Sequence, residues 1–246
     1  MEELLNKVKT YDWGQSRAAL SELEDSIVKA HGSAAEVKKI EQGLLGLLGA
    51  ADTTPAAKQF ICRKLSLIGT EESVPALATM LTQKPGSDQE PHPADMARYA
   101  LERIPGAAVD NALREALGKT SGKAKVGIIN TLGERHDAKS VSGLSKLLGD
   151  SDEMIACAAA AALGKTGGSE ATRALADASG KTGGKLKPVV LDAYLKCADQ
   201  LVGQGKKTEA LEIYKQLSGK DQPKAIRAAA MRGMLDTMGG SKKEEK

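Results

Sequence analysis

Apolar residues along this chain recur at three- and four-residue steps, the spacing of one face of a helix. Phe60, Ile61, Leu65 and Ile68 mark one such face, and Val74, Leu77, Ala78 and Leu81 the next, with Gly69 between them. Ile128, Ile129 and Leu132, then Val141, Leu144, Leu147 and Leu148, repeat the arrangement around Gly133. Ile155 to Leu163, then Ala171, Ala174 and Leu175, repeat it around Gly164. Each of these glycines reads as a helix end. Thr54 and Asp152 read as N-caps, and Pro55 stands at the first helical position, where its missing N–H costs nothing. No stretch sustains period-two alternation, so no strand is predicted. The chain reads as all-α.

The helical pairs are copies of one unit. Leu101, Leu132 and Leu163 fall at intervals of 31, and the same shift maps Leu113 to Leu144 to Leu175, Leu117 to Leu148, and Ala100 to Thr131 to Ala162. A shift of 36 maps Leu65 to Leu101, Leu77 to Leu113 and Leu81 to Leu117. The polar stretch 84–91 absorbs the difference and reads as an inserted loop. Four copies therefore run from Pro55 to Ser179. Such repeats cannot bury their apolar faces alone, so the ends of the array need caps. Leu4, Val8, Trp13, Leu20, Leu23 and Ile27 predict one N-terminal helical stretch, and Ile40, Leu44, Leu45, Leu47 and Leu48 another. At the other end a last helix is expected from Pro223 to Leu235, followed by a charged tail expected to be disordered.

The segments "LSLIGTEESVPALATML", "NTLGERHDAKSVSGLSKLL" and "AALGKTGGSEATRALADA" resemble the short bacterial HEAT-like repeats of the PBS-lyase type. The segment "VLDAYLKCADQLVGQGKKTEALEIYKQL", with Gly205, Ala210, Leu211 and Tyr214, resembles one tetratricopeptide hairpin. The resemblance implies a right-handed α-solenoid (α-α superhelix) of stacked helical hairpins. It divides the chain into N-terminal capping helices (1–50), four HEAT-like repeats (51–181), a TPR-like hairpin with a closing helix (185–235) and the tail (236–246), all in one continuous domain. It also implies that the second helix of each pair lines the concave side.

Composition narrows the function classes. Of 246 residues, only 2% are aromatic, so a core must be built from Ala, Leu, Ile and Val, which suits closely packed helices. A net charge of +3 gives no field for nucleic acid or an anionic membrane. The longest apolar run, Met154 to Leu163, is far shorter than the roughly 20 residues of a membrane-spanning helix. The N-terminus lacks the basic start and apolar run of a signal peptide, which points to a cytoplasmic protein, or to a periplasmic or secreted one if a leader has been removed.

Candidate chemistry is sparse. Gly-Lys-Thr occurs at Gly118, Gly164 and Gly180, but the glycine that a phosphate loop needs five residues earlier is Leu113, Ala159 or Leu175. These read as helix-ending glycines with solvated lysines. His31, His92 and His136 lack metal-pair spacing, and His92 and His136 read as turn residues. Cys62, Cys157 and Cys197 fall inside predicted helices and read as structural, buried thiols. Arg63, Arg98, Arg103, Arg135 and Arg173 read as partners in ion pairs between repeats. No catalytic residue, metal ligand or cofactor site is predicted.

What remains is a non-catalytic, monomeric scaffold that binds a protein or peptide. The alternatives are a subunit of a phycobilin-lyase-like enzyme or a HEAT domain appended to a catalytic protein. The binding columns expected on the second helices are Asn111, Ser142 and Arg173; Arg114 and Ser145; and Glu115, Lys146 and Asp177. Trp13, in the one aromatic cluster, is expected either to staple the first helix to the next or to anchor a partner.

Overall fold

A computed structural model describes residues 1–84 and 92–239. Among these, every regular element is helical: fourteen α-helices and two short 3-10 turns, with no strand. The expected loop insertion falls mainly on 85–91, and most of the expected disordered tail on 240–246, both outside the described residues.

Two compact units divide the chain, Met1–Thr120 and Ser121–Lys246. The first holds α1 (Glu2–Lys9), α2 (Ala18–Ala30), α3 (Ala34–Gly49), α4 (Pro55–Ile68), α5 (Val74–Met80), α6 (Pro93–Leu101) and α7 (Ala107–Lys119). The second holds α8 (Gly122–Glu134), α9 (Val141–Leu147), α10 (Glu153–Thr166), α11 (Gly168–Ser179), α12 (Leu186–Gly203), α13 (Lys207–Leu217) and α14 (Lys224–Gly239). The caps form as the sequence predicts. Thr54 accepts from the Ala57 N–H and Asp152 from the Met154 N–H.

In the first unit α4 packs on α6, and α5 on α6 and α7. In the second, α10 packs between α8 and α12, with α9 and α11 against it. The leucine columns are the core: Leu65, Leu77, Leu81, Leu101 and Leu113 in one unit, and Leu132, Leu144, Leu163 and Leu175 in the other, are all fully buried. The third column fades outward, with Leu117 and Leu148 only half-buried.

The glycines Gly133 and Gly164 do not end their helices. A Cβ on Gly133 would stand 2.8 Å from the Ala162 Cα, and one on Gly164 would stand 2.8 Å from the Ala193 Cα. Both contacts are one repeat apart, so they form a single glycine-on-alanine seam through α8, α10 and α12. The seam explains the alanine run of α10, whose residues Ala156, Ala158, Ala159, Ala160 and Ala162 are all buried. A helix apolar on every side is one enclosed by neighbours. α10 ends instead at Gly167, whose φ of +67° is a left-handed conformation that glycine adopts without strain. There the Gln200 side chain of α12 donates to the Gly164 and Lys165 carbonyls at 3.1 and 3.0 Å.

The first N-terminal helical stretch comprises two helices, broken between Lys9 and Ala18 with Gly14 at φ +84°. Trp13 lies in that break and is half exposed. The first unit also buries a carboxylate that no sequence pattern announced. Glu41 on α3 is 1% exposed and accepts from the Thr70 N–H at 2.7 Å, the Thr70 hydroxyl at 3.0 Å and the Ser73 hydroxyl at 2.6 Å. It thereby fastens the 3-10 turn Glu71–Ser73 that leads into α5.

Candidate interaction surface

The second helices carry the residues of the expected columns, of which Glu115 lines a groove. In the first unit, α5 and α7 flank an open groove of about 320 Å³. Ala78, Ala112 and Ala116 line it with apolar methyls, while Thr79, Thr82, Glu115 and Lys119 supply polar groups. Glu115 and Lys119 form an ion pair at 2.5 Å along α7. The hydrogen bond from Lys119 holds the Glu115 carboxyl below its usual range. Asn111 is exposed and accepts a hydrogen bond from Arg114, which is half-buried. Thr79 also faces a second recess of about 220 Å³, bounded by Leu48, Ala51, Lys58 and Gln83.

In the second unit, α9 and α11 pack side by side. Ser142 and Lys146 on α9, and Arg173 and Asp177 on α11, are exposed. Ser145 is half-buried, and its hydroxyl donates back to the Val141 carbonyl at 2.8 Å. Leu144 and Leu175 on the same helices are fully buried. The expected columns therefore divide between the units: Asn111, Arg114 and Glu115 belong to one, and the other five to its neighbour.

Sequence reasoning missed a cleft on the first helices. α4 and α6 enclose about 220 Å³ lined by Gln59, Cys62, Arg63, His92, Asp95 and Tyr99, with Met96. A thiol, an imidazole and a carboxylate border one space, yet each is committed elsewhere. His92 caps α6, its Nδ1 accepting from the Ala94 N–H at 3.2 Å. Asp95 faces Arg98 at 3.5 Å. Burial pushes the Cys62 thiol up to about 12, far from the thiolate that nucleophilic chemistry requires. Among the described residues no group of three His, Cys, Asp or Glu side chains is placed to hold a metal ion.

The other cysteines and histidines behave unequally. Cys197 is buried like Cys62, but Cys157 is only half-buried, contrary to the expectation for all three. His136 occupies a left-handed turn position at φ +51°, and its Nδ1 lies 2.7 Å from the Lys165 carbonyl. Since a carbonyl only accepts, that nitrogen carries the proton. His136 and Gln200 thus meet on one carbonyl at the end of α10. Three ion pairs that join successive helical pairs are Lys165 with Glu134, Lys38 with Glu72 at 2.5 Å, and Lys185 with Glu153 at 3.8 Å. Arg98 pairs along its own helix with Asp95 and with Glu102 in the turn that follows, and Arg103 stacks on Tyr99 with 4.1 Å to the ring centre. Lys165, of the second Gly-Lys-Thr, is engaged rather than solvated. No described helix is long and apolar enough to cross a membrane.

A solved structure described as an engineered protein matches 96% of this chain and 68% of its own, with 20% identity and a TM-score of 0.45. No curated protein matches the chain significantly. Residues 97–186, which hold most of α6 and all of α7 to α11, match the family model for HEAT repeats, and every regular element of that segment is helical, as the match implies.

Proposed function

We propose that this protein is a non-catalytic interaction module that holds a polypeptide partner against the outer faces of its second helices. HEAT repeats generally mediate contacts between proteins. The observation that carries the reading is the groove between α5 and α7. Alanines at Ala78, Ala112 and Ala116 allow a partner backbone to approach closely. Thr79, Thr82, Glu115 and Lys119 offer donors, acceptors and both signs of charge to that backbone and its side chains. A phosphate chain would meet Glu115 there, so the chemistry suits a peptide better than nucleic acid. The face of α9 and α11 has the same mixed character, with Lys146 and Arg173 beside Asp177 and Ser142.

A photoreactive amino acid tests this when placed singly at Thr82, at Lys146 or, as a control on a first helix, at Leu67. Leu67 is 72% exposed, so all three positions report on accessible surface. Irradiation in extract of the native cell should give one discrete protein adduct from Thr82 or Lys146 and none from Leu67. An adduct confined to Leu67, or to a probe at Trp13, places the binding surface elsewhere.

A further inference from the structure

The last helix presents an apolar face to solvent. α14 buries Ile226, Ala230 and Thr237 against the unit, and its Gly233 sits so close to the Tyr214 ring that a Cβ would lie 2.6 Å from it. On the other side Met231, Leu235 and Met238 are 46%, 71% and 63% exposed, and Ala228 continues the row. An apolar helix face of this kind normally has a neighbour to cover it.

The spacing of the row says what fits it. Ala228, Met231, Leu235 and Met238 stand at steps of three, four and three, the seam of paired helices. That order reads the same in both directions. A second α14 running antiparallel about a two-fold axis near Gly233 sets Met231 against Leu235 of the second copy and Ala228 against its Met238, small against large. An isologous contact requires such reciprocity, because each residue must suit its counterpart twice.

Charge supports the same arrangement. Arg232 and Asp236 flank the row one turn apart, both exposed, and neither makes an ion pair among the described residues. Reversal about the axis brings Arg232 near Asp236 of the second copy, and the pair occurs twice. We infer that α14 is a self-association surface through which two copies of this chain pair antiparallel. One row of apolar residues is a small interface, so the dimer is weak and reversible.

Sedimentation velocity over a range from low micromolar to near-millimolar protein tests this. A reversible monomer–dimer equilibrium is expected, and Leu235→Glu should abolish it while leaving the helical circular dichroism intact. Arg232→Asp alone or Asp236→Arg alone should weaken association by about tenfold, since each turns two attractive pairs repulsive. The double variant Arg232→Asp/Asp236→Arg restores the opposition of charge and should recover association to near the native level. Two other results overturn the proposal. One is a monomer at every concentration, which would leave the row to a different protein. The other is a dimer indifferent to Leu235→Glu or not rescued by the double reversal.

Discussion

An alanine at Gly164 would drive its methyl to 2.8 Å from the Ala193 Cα, a separation that backbone cannot supply without moving the helix. Gly133→Ala and Gly164→Ala should therefore each cost about 1–3 kcal/mol, as overpacked cores do. Gly143 on α9 is exposed with no atom within 4 Å of its Cβ position, so Gly143→Ala should stabilise by up to about 1 kcal/mol through helix propensity. Urea unfolding of the three variants separates the two outcomes. The repeat showed in the sequence that glycine recurs at these positions, but glycine after an apolar run fits a helix end and a close contact equally. The deciding residue was Ala193, one further step of 31 beyond Ala162. Burial was legible for Cys62 and Cys197 but not for Cys157, since an alanine-rich helix gives no clue to which side a small residue takes. With a thiolate pKa ordinarily near 8.5, an unfolded chain loses the Cys62 proton at mildly alkaline pH while the native chain keeps it until about pH 12. The unfolded state then binds fewer protons, so stability falls as pH rises through that window. Thermal melting between pH 9 and 11 should consequently slope less steeply in Cys62→Ala than in the native protein. A thiol reagent should modify Cys157 first and Cys62 last.

Helices were the most legible level, because a 31-residue leucine register fixes both the number of elements and the face each one buries. Departures came where a contact depends on residues outside the register. The break between α1 and α2 is carried by Gly14 and its neighbours, yet the apolar row from Leu4 to Ile27 runs across it with little interruption. Glu41 is a plainer case, since a glutamate within an amphipathic helix reads as a solvated side chain until its partners are seen. Thr70 and Ser73 arrive from the next helical pair and supply three of the hydrogen bonds that make its burial tolerable. Glu41→Leu keeps the bulk but orphans the Thr70 N–H and the Ser73 hydroxyl, which should cost about 1–3 kcal/mol. Glu72→Ala removes an exposed, solvent-screened ion pair with Lys38 in the same region and should cost far less. Equal losses from both changes would mean that the buried network contributes nothing particular.

At the scale of the whole molecule, the leucine columns continue from one unit into the next in sequence, while compactness divides the chain at Thr120. Two of the expected columns were legible as exposed positions on second helices, since the 31-residue shift that aligns the buried leucines also aligns Glu115, Lys146 and Asp177, and Asn111, Ser142 and Arg173, whereas Arg114 and Ser145 are half-buried. The α4–α6 cleft and the apolar face of α14 were not, because one needs two helices seen together and the other a judgement of which face lacks a neighbour. Stability in stacked repeats is a sum of local terms and nearest-neighbour contacts, so a lesion should be felt most strongly beside itself. Leu163 is fully buried on α10, the helix that touches α8, α9, α11 and α12. Leu163→Ala should cost about 2–5 kcal/mol as a core truncation. Amide hydrogen exchange should consequently accelerate in α8 to α12 by the full amount, while α2 to α5, whose core holds Leu20, Leu44, Leu65 and Leu77, keep most of their native protection. Uniform acceleration across both units would show instead that the chain opens as one cooperative body, with the division at Thr120 having no energetic counterpart.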